Sequence, residues 1–84
     1  MNTSLQDPIF IKITDILSEM GVERTAVTPE ASFTRDLGLD SLETVDLMMT
    51  LEREFNLSIS DEQMNEIRTV GQLSNYLQEQ TVAQ

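Results

Sequence analysis

The chain is 84 residues long and contains neither cysteine nor histidine. That length supports one domain with one modest core, and the two absences remove disulfides, the usual zinc ligand sets, and the Ser-His and Cys-His pairings of nucleophilic catalysis. Fifteen acidic residues against five basic ones give a formal charge of −10, which repels nucleic acid and anionic lipid and favours a protein partner with a basic surface.

The opening stretch "MNTSLQDP" lacks the basic region and apolar core of a secretory signal, and no run reaches transmembrane length, so the cytoplasm is the expected compartment. Asp7 as N-cap and Pro8 at the first helical position predict a helix start, because the missing proline N–H costs nothing there. Ile9, Phe10, Ile13, Ile16, Leu17 and Met20 recur at helical spacing on one face, and Gly21 is the expected stop. Residues 22 to 39 hold no period and contain Pro29 and Gly38, which predicts a long connection. Its spaced apolar residues Val22, Val27, Phe33 and Leu37 are expected to pin it to the rest of the fold, as suits a functional loop.

Asp40 followed by Glu43 predicts a capping box, with Ser41 as the first residue of a second helix running to about Phe55. In the segment "NLSIS", Leu57 and Ile59 are expected to plug the core. Ser60 with Gln63 predicts the start of a short third helix with Met64 and Ile67 facing inward. Thr69 with Gln72 repeats the device for a last helix through about Gln80, buried through Val70, Leu73, Tyr76 and Leu77, with "TVAQ" frayed. Nothing alternates as a strand would. The predicted fold is all-α: a small four-helix bundle of three main helices and one short third helix, with a long loop between the first two, in a single domain with a core over about 8–80.

The second helix is apolar on two sides. At roughly 100° per residue, Leu47, Met48, Leu51 and Phe55 gather on one side with Thr44, which is the expected core face. Leu42, Val45 and Met49 gather on the other, bordered by Glu43, Asp46 and Glu52. So small a bundle cannot bury both. Scattered apolar residues are normal on any surface, but a short apolar ridge rimmed by carboxylates complements an apolar groove rimmed by arginine and lysine. Between Asp40 and Glu66 there are eight acids and one base, Arg53.

Ser41 stands at the start of this helix, where a phosphate attached to its hydroxyl would meet the positive end of the helix dipole and unpaired N–H groups. Its other possible role, as a helix cap, is better filled by Asp40. A nucleophilic serine is disfavoured, because "GLDSLE" is not the G-x-S-x-G elbow and no histidine exists to activate it.

The stretch "DLGLDSLETVDLMMTLEREFNLSISDE", preceded by "ASFTRDLG" and followed by "RTVGQLSNYL", resembles acyl carrier proteins of the stand-alone bacterial type, with the D-S-L motif at Asp40, Ser41 and Leu42. The likeness spans nearly the whole chain. It implies that Ser41 carries 4'-phosphopantetheine through a phosphodiester, flanked by Asp40 and Leu42, and that the thiol of that arm holds acyl groups as thioesters, which accounts for a chain without cysteine. It also implies that the second helix is the recognition helix. Leu42, Val45 and Met49 would form its docking ridge and Glu43, Asp46 and Glu52 its charged rim. The implied partners are a phosphopantetheinyl transferase, an acyl-loading enzyme, and a ketosynthase and other acyl-processing enzymes of fatty acid, polyketide or specialised lipid biosynthesis. The chain itself would be a non-catalytic monomer with no metal, binding no nucleic acid and entering no membrane.

Several residues depart from the pattern of fatty acid carriers. Arg35 and Arg53 stand where acids are common, Leu39 replaces a commonly small residue, Ser60 replaces a frequent proline, and Gln63 and Asn65 dilute the acidity of the third helix. Such changes point toward a dedicated carrier as readily as a housekeeping one. The competing reading from another class is a cofactor-free acidic helical adaptor that binds a basic partner through the same ridge, with Ser41 as a mere helix start. A calcium sensor is disfavoured because no D-x-[DN]-x-[DN]-G loop is present, and a hydrolase lacks a base.

Overall fold

Asp7 and Pro8 begin the first helix as the sequence predicts. In the computed structural model, which describes residues 7–82 and the side chains of 7–80, the Asp7 carboxylate accepts the Ile9 N–H at 2.8 Å and α1 runs Pro8–Glu19. Gly21, at φ +100°, closes the helix: its N–H donates to the Ser18 carbonyl and the Val22 N–H to the Leu17 carbonyl, each at 3.0 Å. These two hydrogen bonds satisfy carbonyls that the helix leaves open, in a conformation that glycine adopts without penalty. A short 3-10 turn at Arg24–Ala26, which the aperiodic sequence did not predict, follows, and then α2 (Ser41–Phe55), α3 (Asp61–Glu66) and α4 (Val70–Val82) complete the order. The fold is the expected four-helix bundle. The last helix extends to Val82, beyond the expected end near Gln80, and the fraying expected of the final residues falls partly on 83–84, outside the described residues.

The core lies where α1, α2 and α4 converge. Ile13, Leu17, Leu47, Met48, Leu51, Leu73 and Leu77 are fully buried there. Burying one such side chain stabilises by about 1.5–3 kcal/mol before chain entropy is counted. Of the expected loop anchors, Val27 and Phe33 are buried and Val22 and Leu37 pack half-buried against the core. Ala31 and Leu39 are buried as well, which the spacing did not predict. Ile59 and Ile67 plug the core as expected, with Leu57 and Met64 half-buried beside them.

The loop is held by its backbone as much as by its side chains. Phe33 N–H donates to the Arg68 carbonyl at 3.1 Å, Val70 N–H to the Ala31 carbonyl at 3.0 Å and Gly71 N–H to the Pro29 carbonyl at 2.8 Å, so that Ser32 and Thr69 form an isolated antiparallel bridge. A Cβ at Gly71 would stand 2.8 Å from that Pro29 oxygen, closer than real Cβ contacts come. Glycine is therefore required at this position by the approach of the loop. Thr69 caps α4 by accepting the Gln72 N–H at 3.2 Å, while Gln72 Oε1 accepts the N–H groups of Arg68 and Thr69. Among the described residues no helix is long and apolar enough to cross a membrane.

Candidate functional site

The loop tightens as it approaches α2. Ser32 N–H donates to Asp36 Oδ2 at 2.7 Å, Arg35 N–H to Ser32 Oγ at 3.2 Å, and Leu39 N–H to the Phe33 carbonyl at 2.9 Å. Gly38 takes the left-handed φ of +72° that turns the chain into the helix. The predicted capping box is present: Glu43 N–H donates to Asp40 Oδ1 at 2.8 Å and Asp40 N–H to Glu43 Oε1 at 3.0 Å. Two backbone groups satisfied reciprocally hold the first turn of α2 in place.

This arrangement frees Ser41. Asp40 takes the cap, so the Ser41 hydroxyl is exposed and makes no hydrogen bond among the described residues. The N–H groups of Ser41 and Leu42 are likewise without an acceptor among the described residues. The first turn of a 15-residue helix with two open donors and the positive end of its dipole suits a covalently held phosphate. The residues present therefore fit a phosphopantetheinyl group at this position.

Outward from Ser41, Leu42 is 79% exposed, Val45 43% and Met49 46%, on a helix whose opposite side is fully buried at Leu47, Met48 and Leu51. The ridge read from the spacing is thus a surface feature. Glu43 and Asp46 beside it are exposed. Glu52 is half-buried, and one of its oxygens accepts the Ile59 N–H at 2.6 Å, tying the segment after α2 back to the helix. Asn56, at φ +54°, makes the turn that brings Ile59 within reach. Nothing in the local spacing signals that bond, because it joins residues seven apart across a turn.

Beside Ser41, and reaching Val45 of the ridge, a groove of about 530 Å³ opens between α2, the loop and the α3–α4 corner. Phe33, Met48, Met64 and Ile67 give it apolar walls, and Arg35 and Arg68 contribute to its lining. The sequence pointed to the serine, the ridge and the inward-facing Met48 and Met64, but not to the groove's walls from the loop and Arg68, which depend on the Ser32–Thr69 bridge. Among the described residues no group of three or more acidic side chains is placed to hold a metal ion.

The family model described as "Phosphopantetheine attachment site" matches residues 12–77, which includes the whole of α2 and the groove. Acyl carrier proteins from two strains of Porphyromonas gingivalis are each 52% identical to this chain over 63 residues, covering 75% of it and 81% of their own length.

Proposed function

This chain belongs to the acyl carrier protein family and carries its phosphopantetheine attachment-site domain, and from that premise we propose that Ser41 is the attachment residue and that the chain is a non-catalytic carrier. The observation that carries this reading is the division between Asp40, which caps α2, and Ser41, whose exposed hydroxyl is left without a partner among the described residues. Coenzyme A is the donor of the group: the Ser41 oxygen bonds to the phosphorus on the pantetheine side of its pyrophosphate, and the P–O bond to the nucleotide half breaks. Adenosine 3',5'-bisphosphate leaves, and the hydroxyl proton passes to a base of the transferase. When attached, the arm supplies the thiol that a cysteine-free chain lacks, and that thiol holds acyl groups as thioesters.

The chain's own part is to position, to present and to shelter. The open N–H groups and dipole of α2 stabilise the phosphodiester charge. Leu42, Val45 and Met49 form the docking ridge for the transferase, the acyl-loading enzyme, the ketosynthase and other acyl-processing enzymes with basic surfaces. Glu43 and Asp46 steer those surfaces, and Glu52 adds charge while bracing the turn to Ile59. Met48 and Met64, both lining the groove beside Ser41, give it walls that repack around an acyl chain.

Incubation with coenzyme A and a broad-specificity phosphopantetheinyl transferase, followed by intact-mass measurement, tests the assignment. The expected result is a gain of one phosphopantetheine in the native chain and none in Ser41→Ala, with unchanged circular dichroism in both. An equal gain in Ser41→Ala would move the site elsewhere. No gain in a folded native chain would favour the adaptor.

A further inference from the structure

Two arginines, Arg35 and Arg68, are among the residues that line the groove beside Ser41, and attachment of the arm gives neither of them a task. The Ser32–Thr69 bridge brings them there: Arg35 lies three residues after Ser32, and Arg68, immediately before Thr69, accepts the Phe33 N–H with its own carbonyl. Of the five basic residues, Lys12 pairs with Glu54 and Arg24 with Asp15. Arg35 and Arg68 make no ion pair among the described residues. The carboxylates that follow Arg35 in the chain accept backbone N–H groups, Asp36 that of Ser32 and Asp40 and Glu43 each other's, and none of them forms an ion pair with it among the described residues. In a chain of charge −10, a groove lined by two arginines and by no acidic residue stands apart.

We infer that this groove takes an acyl cargo bearing a carboxylate, the apolar walls holding its carbon chain and Arg35 and Arg68 holding its charge; this rests on the carrier reading above. A neutral chain would use Phe33, Met48 and Ile67 and gain nothing from the guanidinium groups. A carboxylate is the acceptor that the planar arginine fork matches best. The net negative field would otherwise repel an anionic cargo from the surface, and the two arginines offset that repulsion where the cargo has to lie. The phosphodiester at Ser41 is the other anion at hand, but it already meets the open N–H groups of α2, whereas the arginines come from the loop and from the α3–α4 corner.

The experiment loads the full chain first with the unacylated arm, then with adipoyl or hexanoyl thioesters of equal chain length, each verified by intact mass. Arginine Nε shifts and the rate of thioester cleavage by hydroxylamine are then read in the native chain and in R35Q/R68Q. Both substitutions lie on exposed side chains, and circular dichroism verifies the fold. The expected result is that adipoyl shifts both Nε signals and that its cleavage becomes about twofold to fivefold faster in R35Q/R68Q, the range of a partly exposed ion pair. Hexanoyl should cleave equally in both proteins. Equal behaviour of the two cargoes overturns the inference. So do Nε signals that shift fully with the unacylated arm and no further with adipoyl, which would assign the arginines to the phosphodiester. No gain of arm mass would instead remove the carrier reading itself, an outcome visible before any acyl group is added.

Discussion

Along the inner faces of α1 and α4 apolar side chains are removed from water, with Ile13, Leu17, Leu73 and Leu77 buried completely, whereas α2 buries Leu47, Met48 and Leu51 on one side and exposes Leu42, Val45 and Met49 on the other. The α1–α4 side is closed further by polar bonds, since the Gln78 amide donates to Asp7 Oδ2 at 2.7 Å and joins the end of one helix to the cap of the other. Around α2 the uncommitted groups accumulate instead: an exposed hydroxyl at Ser41, an apolar ridge, and two arginines on a groove. Burial is concentrated in one region and exposed, unpartnered groups in the other, and α2 belongs to both because one of its faces is buried and the other exposed.

The largest expected effect strikes the first region. Leu73→Ala removes a fully buried side chain from α4 and should cost about 2–5 kcal/mol in chemical denaturation, a large share of the stability of so small a fold. A loss below that range would mean that the α1–α4 packing is not what holds the bundle. Gly71→Ala comes next and sharpens the boundary between the regions, because it stands at the α4 end of the backbone bridge that shapes the groove. With a Cβ 2.8 Å from the Pro29 oxygen, it should cost about 1–3 kcal/mol and shift the amide signals of residues 29–33. Unchanged stability would show that the loop yields there.

The smallest effect concerns an ion pair that links the regions, Lys12 Nζ to Glu54 Oε1 at 2.9 Å, between α1 and α2. The hydrogen bond and the charge of Glu54 hold the Lys12 ammonium above its ordinary value of 10.5. A group raised on folding contributes in full below its unfolded value and loses that contribution as pH climbs through the folded one. The pair's small contribution to melting temperature should therefore be fully present and constant with pH around neutrality, and the melting temperature should decline slightly more steeply above about pH 10.5 in the native chain than in Lys12→Met.

Much of the region around α2 was legible in the sequence because it depends on local rules. The capping box at Asp40 and Glu43, the position of Ser41 and the two faces of α2 follow from spacings within one helix, and the exposures agree with them. The arginine pair and the third wall of the groove were not legible, since they arise from a backbone bridge between residues far apart in the chain. The burial of Ala31 and Leu39 escaped for the same reason: an irregular loop has no period to reveal which residues face inward. Glu52 shows the limit at close range, as helical phase placed it beside the ridge but not against the Ile59 N–H.

The central claim, that one face of α2 holds the fold and the other is read by enzymes, is tested most directly by Leu47→Ala and Leu42→Ala measured side by side for unfolding free energy and for the rate of phosphopantetheine transfer at low temperature. Leu47→Ala should lose about 2–5 kcal/mol of stability while its folded fraction accepts the group at the native rate. Leu42→Ala should stay within about 0.5 kcal/mol of native stability and accept the group about fivefold or more slowly, as truncation of an interface anchor does. Leu42→Ala destabilised as much as Leu47→Ala, or accepting the group at the native rate, would contradict the account.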